Sequence, residues 1–189
     1  MQLETEQTVP QQYRKPPSPK QGLLFVLSAP SGTGKDTVIN ALKEQGMDFY
    51  VVASVTTRPP RPGESEGNPY HFVTLEKFMQ LRDHDELLEY ANVHGNWYGQ
   101  PRQPIRDNLR AGRDVLLKID VQGAATVHRK VPEAVFIFLV PSSMEELAQQ
   151  HWYDYVVVNR QNHLQEAVDQ LRAIILAEHS RTHPRRIDI

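Results

Sequence analysis

The chain has 189 residues, 39% hydrophobic and 23% charged, which falls within the size of one compact domain able to bury a sizeable core. Its 21 lysines and arginines nearly balance 23 aspartates and glutamates, so no global field favours nucleic acid or an anionic membrane, and any anion site has to be local. Cysteine is absent, which excludes a disulfide framework, a thiolate metal site and a cysteine nucleophile, and is in keeping with a cytoplasmic protein.

Residues 1–20 are rich in proline and glutamine with no apolar run, and read as a flexible tail without a signal-peptide core; residues 21–189 read as the folded domain. Leu23 to Leu27 is a continuous apolar run, followed by a glycine-rich turn and a helix with Val38, Ile39 and Leu42 on one face. Val51 to Val55 and Tyr70 to Val73 read as short strands around the turn-rich stretch Arg58 to Pro69, and the section from about 51 to 100 reads as an inserted lobe. Thr74 is placed to cap a helix bearing Leu75, Phe78, Met79 and Leu81, and Gly112 to end another that starts near Pro104. Apolar runs at Val115 to Ile119, Val135 to Val140 and Tyr155 to Val158 have the character of strands covered on both faces. The residues between them, Ala124, Ala125 and Val127, mark a helix, and Leu164, Val168, Leu171 and Ile175 trace a 3.6-residue stripe through a longer one. The alternation predicts an α/β fold with a mostly parallel sheet flanked by helices. There is no internal repeat, and no stretch approaches the roughly 20 apolar residues of a spanning helix.

The turn after the first strand reads Ala29-Pro30-Ser31-Gly32-Thr33-Gly34-Lys35-Asp36-Thr37, close to the signature of a nucleotide-binding glycine-rich loop followed by lysine. Glycines let backbone N–H groups face phosphate oxygens, the helix presents its positive end, and Lys35 adds a point charge. Two positions depart from the strict pattern: Ala29 stands where a glycine is usual, and Asp36 where a serine or threonine would reach magnesium. Asp36, Thr37 or water alone are the open choices for meeting the ion, so the metal ligand is not assigned. The alternative reading of the segment is an ordinary strand-to-helix turn.

Arg58 and Arg61 sit three residues apart on a loop stiffened by Pro59, Pro60 and Pro62. Guanidinium forks suit phosphate oxygens, although by itself such a stretch reads as an exposed turn. Taken in order and spacing, Thr56 to Glu64 with Tyr70, Glu89, Gly95-Asn96-Trp97-Tyr98-Gly99 and Ile119-Asp120-Val121-Gln122-Gly123 resembles the guanylate kinase family, from about Gly22 to Asn159 and again in the C-terminal helix.

The resemblance implies a phosphate-loop NTPase core carrying a GMP-binding lobe, and a phosphotransferase that moves the γ-phosphoryl group of ATP to GMP with Mg²⁺ as cofactor. Arg58, Arg61, Tyr70 and Tyr98 match the family's ligands for the GMP phosphate, and Ser54 and Glu89 those for guanine. One carboxylate accepts both the N1–H and the exocyclic amine of guanine, while adenine presents a bare acceptor at N1. Without the resemblance Glu89 reads as a solvated acid in Asp85-Glu86-Leu87-Leu88-Glu89. Asp120 ends a strand where ligand crevices lie in open α/β sheets; by resemblance it stands near the nucleotides, and a helix N-cap is the equal alternative. Lys118 departs from the acid many members carry there. Lys35, Arg58 and Arg61 are the expected catalytic cations, with no general base, because the GMP phosphate is already ionised near pH 7.

Family members place an arginine-bearing helical lid after the segment that here reads Pro141 to Gln150. Residues 142 to 153 contain no arginine, and twelve residues roughly meet the minimum for a parallel crossover. Either the crossover is short or the sequence is incomplete at this junction. Losing such arginines costs on the order of a thousandfold in rate, judging by arginine fingers, so two further readings stand beside the kinase: a catalytically silent module binding GMP or a phosphorylated partner, and a kinase for another small substrate. Trp97 is expected to pack the GMP pocket and Trp152 the sheet edge. His179 and His183, four apart beside Arg181 and Pro184, read as part of a fraying tail.

Overall fold

The computed structural model describes residues 21–30, 32–142 and 152–189; the tail at 1–20, Ser31 and the crossover residues 143–151 lie outside it. Five strands form an all-parallel sheet in the order β10-β9-β1-β8-β2. They are β1 (Leu24–Ser28), β2 (Tyr50–Val51), β8 (Val115–Ile119), β9 (Val135–Pro141) and β10 (Tyr155–Asn159). The predicted α/β architecture is therefore present. Every residue of β1 is buried, because it lies between β8 and β9 with helices on both faces. Phe25 and Leu27 pack with Val38, Ile39 and Leu42 of α1 (Lys35–Glu44) and Ala167, Val168, Leu171 and Ile175 of α5 (Leu164–His179). Leu24 and Val26 face Ile105 and Leu109 of α3 (Arg102–Arg110), and Ala124 and Val127 of α4 (Val121–Lys130). Each fully buried side chain of this size contributes roughly 1.5–3 kcal/mol.

A second sheet, in the order β4-β5-β3-β7-β6, is built from β3 (Ser54–Thr56), β4 (Ser65–Glu66), β5 (Pro69–Phe72), β6 (Leu87–Val93) and β7 (Asn96–Pro101), with α2 (Leu75–Asp83) beside it. Its small core is Val55, Phe78 and Leu87, with Trp97 packed against it. Thr74 caps α2, its Oγ1 accepting from the Lys77 N–H at 3.2 Å. The single strand expected over Val51 to Val55 is in fact two. Val51 ends β2 in the parallel sheet, Val52 is buried against that sheet's core, and Ser54 begins β3 in the other sheet. An apolar run records burial but not which sheet does the burying.

β10 pairs in parallel with β9 along its whole length, Tyr155 opposite Ile137 through Asn159 opposite Pro141, so the sheet closes across the arginine-free crossover. Trp152 packs on Phe136 of β9 at 5.7 Å and His128 of α4 at 5.1 Å. No helix among the described residues is long and apolar enough to cross a membrane.

The residues after α5 correct the expectation of a fraying tail. His179 Nε2 is bonded to Asp114 Oδ2 at 2.7 Å, and Ile187 is buried in the core beneath α3 and α4. Arg185 holds Glu178 at 3.0 Å, Asp154 at 2.7 Å and the Ala134 carbonyl at 3.0 Å. The Glu178 side chain is wholly buried; burial opposes its charge, but bonds from Arg185 and Tyr155 outweigh that and hold its carboxyl below the usual range. Taking away one partner of a buried pair leaves an uncompensated charge. Arg185→Ala is therefore expected to lower unfolding stability by about 3 kcal/mol, the low end of such losses because Tyr155 and Arg181 still reach Glu178. Urea unfolding measures it, and a loss too small to resolve would mean the segment is not anchored by this residue.

Candidate active site

The carboxyl end of β1 delivers the glycine-rich turn to the start of α1. Lys35 Nζ donates to the Ala29 carbonyl at 2.8 Å, folding the lysine back over the turn, and Thr33 Oγ1 donates to the Pro30 carbonyl at 2.8 Å. Asn159, the last residue of β10, donates from Nδ2 to the Thr33 carbonyl at 2.8 Å. Gly34 stands at φ 85°, and a Cβ there would meet that Asn159 amide at 3.0 Å, so the turn needs glycine on both counts. No side chain caps α1, leaving its first N–H groups to a ligand. Burial lowers the Lys35 ammonium below its ordinary value, Lys118 adds to that, and Asp120 and Asp36 oppose it.

This turn forms one wall of a cleft of about 730 Å³ whose other wall is the second sheet. Of the residues singled out from sequence, Ala29, Pro30, Gly32, Thr33, Gly34, Lys35, Asp36 and Thr37 line it on the side of the turn, with Asp120 at the end of β8, and Ser54, Arg61, Tyr70, Glu89 and Tyr98 line it from the other lobe. Ser31 lies outside the described residues. Arg58 does not line the cleft. Its guanidinium lies over the Tyr70 ring, 5.3 Å from the centroid, and grips both Glu64 oxygens at 2.9 and 3.0 Å. The bond to Glu64 raises the arginine above its usual value and holds Glu64 below the usual carboxylate range. Tyr70 and Tyr98 meet edge to face at 5.9 Å, because Ser54 and Thr56 of β3 pair with Tyr70 of β5 and Tyr98 of β7. Beside the turn, a second hollow of about 450 Å³ is lined by Gly34, Thr37, Asn159, Arg160 and Leu164 among others.

Glu89 is buried, 5% exposed, rather than a solvated acid. The N-terminal end of α4 presses on it, so that a Cβ at Gly123 would come within 3.1 Å of Glu89 Oε2. Burial, with the Asp120 carboxylate adding and Lys130 opposing, pushes Glu89 up to about 7. Asp120 is the N-cap of α4, its Oδ1 accepting from the Gly123 N–H at 2.7 Å, and it also lines the cleft.

Gln100 was not foreseen. It is 2% exposed, lines the cleft, and donates from Nε2 to Ser54 Oγ at 2.7 Å, while its Oε1 is buried without a partner among the described residues. One of its amide atoms is thus left for an occupant of the cleft. The signal was available: Gln100 lies two residues after Tyr98, on the same face of β7.

An end-on helix and lysine facing a buried carboxylate and a hydroxyl–amide pair define a phosphate-loop, nucleotide-binding α/β protein. The family model described as Guanylate kinase matches residues 21–151. The chain is 39% identical to guanylate kinase 2, chloroplastic/mitochondrial, of Oryza sativa subsp. japonica, covering 90% of this chain and 70% of that protein. It is 41% identical to a guanylate kinase of Caldanaerobacter subterraneus subsp. tengcongensis, covering 86% and 90%. The crystal structure of guanylate kinase from Anaplasma phagocytophilum superposes with a TM-score of 0.70 at 38% identity, covering 86% of this chain and 89% of that one. The chain belongs to the guanylate kinase family. The Caldanaerobacter alignment runs over 188 residues yet covers 86% of this 189-residue chain, so that relative carries residues with no counterpart here.

Glu89 generates a test in the free protein. Its carboxyl is raised from 4.5 to about 7, so its contribution to stability is intact below pH 4.5 and is lost as pH rises through about 7. Glu89→Gln removes that penalty. The variant is expected to exceed the parent by on the order of 3 kcal/mol at pH 8 and to match it at pH 4. Equal gaps at the two pH values in urea unfolding would refute the assignment.

Proposed function

We infer that the protein transfers the γ-phosphoryl group of ATP to GMP, giving ADP and GDP. The observation that carries this is that the phosphate-binding turn and the buried Glu89–Ser54–Gln100 group face each other across one cleft. In this reading the ATP phosphates lie over the N-terminus of α1 with Lys35 on the transferring group, and the hollow beside Asn159 and Arg160 takes the nucleoside. The GMP phosphate meets Arg61, Tyr70 and Tyr98, and Arg58 behind them sets Tyr70 by stacking and holds the loop through Glu64. Arg58 thereby acts through its neighbours until a phosphate draws it from Glu64.

Guanine supplies paired donors to the Glu89 carboxylate, and the Gln100 amide, held by Ser54, meets the 6-oxo group. Adenine would leave the buried carboxylate facing an acceptor, which is worth roughly ten-thousandfold in discrimination. Transfer is then a matter of alignment and charge. A phosphate oxygen of GMP attacks the γ-phosphorus in line, the bond to the ADP oxygen breaks, and no protein base is required because the nucleophile is ionised. Mg²⁺ favours one or two carboxylates plus substrate phosphates, and Asp120 and Thr37 in the cleft would fit that demand, Asp36 being taken up by Lys118. It would neutralise charge between the two nucleotides. The absence of cysteine supports placing the activity in the cytoplasm.

The alternative, a silent binding module, has little to explain why Lys35 and its turn persist beside an intact base pocket. GMP-dependent ADP formation from ATP and Mg²⁺ tests the reading. Lys35→Ala is expected to lose on the order of a hundredfold or more in kcat, and Arg61→Ala to raise KM for GMP roughly tenfold. Turnover equal with AMP or UMP would overturn the guanine assignment, and turnover surviving in Lys35→Ala would expose a contaminant.

A further inference from the structure

Two charges in the cleft have no part yet in that reaction as a pair. Asp36 follows Lys35 in the first turn of α1, and its side chain is 75% exposed. It does not cap its helix, whose N-cap is Gly34 with no side-chain bond. Lys118 rises from β8 between buried Leu117 and Ile119, opposite Leu27 in the sheet, with a side chain 19% exposed. Lys118 Nζ is joined to Asp36 Oδ1 as a close ion pair, 82 residues apart in the chain.

An acid at Asp36 opposes the use made of its surroundings. The N–H groups that start α1 attract phosphate, and a free carboxylate in that same turn would repel it. Lys118 comes from a fixed strand rather than from a loop, and the register of β8 against β1 carries it to the place where Asp36 emerges. The two departures thus cancel.

We propose that Lys118 is a positioning residue for the triphosphate. It neutralises Asp36, so that a nucleoside triphosphate can occupy the start of α1 without like-charge repulsion. The proposal rests on the kinase reading above. Its signature is rescue: the defect from removing the lysine is caused by the aspartate left behind, and disappears when the aspartate goes too.

The experiment measures dissociation constants for ATP with Mg²⁺, and for GMP, by calorimetry on the full chain, together with KM and kcat. Lys118→Met is expected to weaken ATP roughly tenfold, with the loss in KM for ATP rather than in kcat, and to leave GMP affinity within about twofold. The ATP deficit is expected to shrink as salt rises, because both side chains reach solvent. Asp36→Asn should bind ATP at least as tightly as the parent, and Asp36→Asn/Lys118→Met should recover most of the loss. Three results overturn the proposal: unchanged ATP binding in Lys118→Met, a double variant as weak as the single, which would mean that Lys118 touches phosphate itself, or weaker ATP binding in Asp36→Asn. A parent chain that binds neither nucleotide would instead remove the kinase reading, and the proposal with it.

Discussion

The cleft depends on holding the positive end of α1 still, and that in turn depends on β1 being clamped at the centre of the parallel sheet. With β8 and β9 on either side and helices on both faces, the end of β1 has almost no freedom. The turn that follows inherits it. The Thr33 carbonyl is held by Asn159 at the end of β10, two strands from β1. β10 begins at Tyr155, whose hydroxyl donates to Glu178 at 2.7 Å, and Glu178 is held by Arg185. A run of bonds therefore links the C-terminal segment, the edge strand and the phosphate turn, so the chain's last residues help fix where a phosphate can sit.

The opposite wall works by a different principle. Glu89 is buried near Asp120, and its charge is disfavoured until something donates to it. In the proposed reading this is what selects the base, because a wrong base leaves the buried carboxylate unpaired while guanine donates to it. On that reading, stability given up in the free protein is the counterpart of selectivity in the complex. Gln100 makes the same trade on a smaller scale, with one amide atom satisfied by Ser54 and the other buried without a partner.

Much of this was legible in the sequence, and the division follows sequence distance. β1, β8, β9 and β10 were readable as apolar runs because buried parallel strands need no alternation. The phosphate turn was readable because its residues are consecutive, and Thr74 as a cap because capping is local. What escaped was set by pairing across the chain. Ser54 and Gln100 are 46 residues apart, Asp114 and His179 65, and Asp36 and Lys118 82. Arg58 reads in sequence as a phosphate ligand, and in the free protein its guanidinium donates to the Pro59 carbonyl at 2.8 Å and to Glu64, six residues on in the same loop, at 2.9 Å. A guanidinium pattern in sequence does not say which of several anions it will grip.

The arginine-free crossover gives these pairings their significance. Bringing two phosphate-bearing nucleotides together needs cations, and a lid supplies them by closing. Here the cleft is lined by Lys35 from α1, Lys118 from β8 and Arg61 from a proline-stiffened loop, with Arg58 close behind. Charges on rigid elements are already in place when substrate arrives, so little reorganisation accompanies transfer. They cannot, however, follow the phosphates as charge redistributes, nor expel water as closure does. Fixed neutralisation of this kind favours binding and alignment, and in the proposed reading the balance of Asp36 and Lys118 sets how much positive charge the start of α1 can offer.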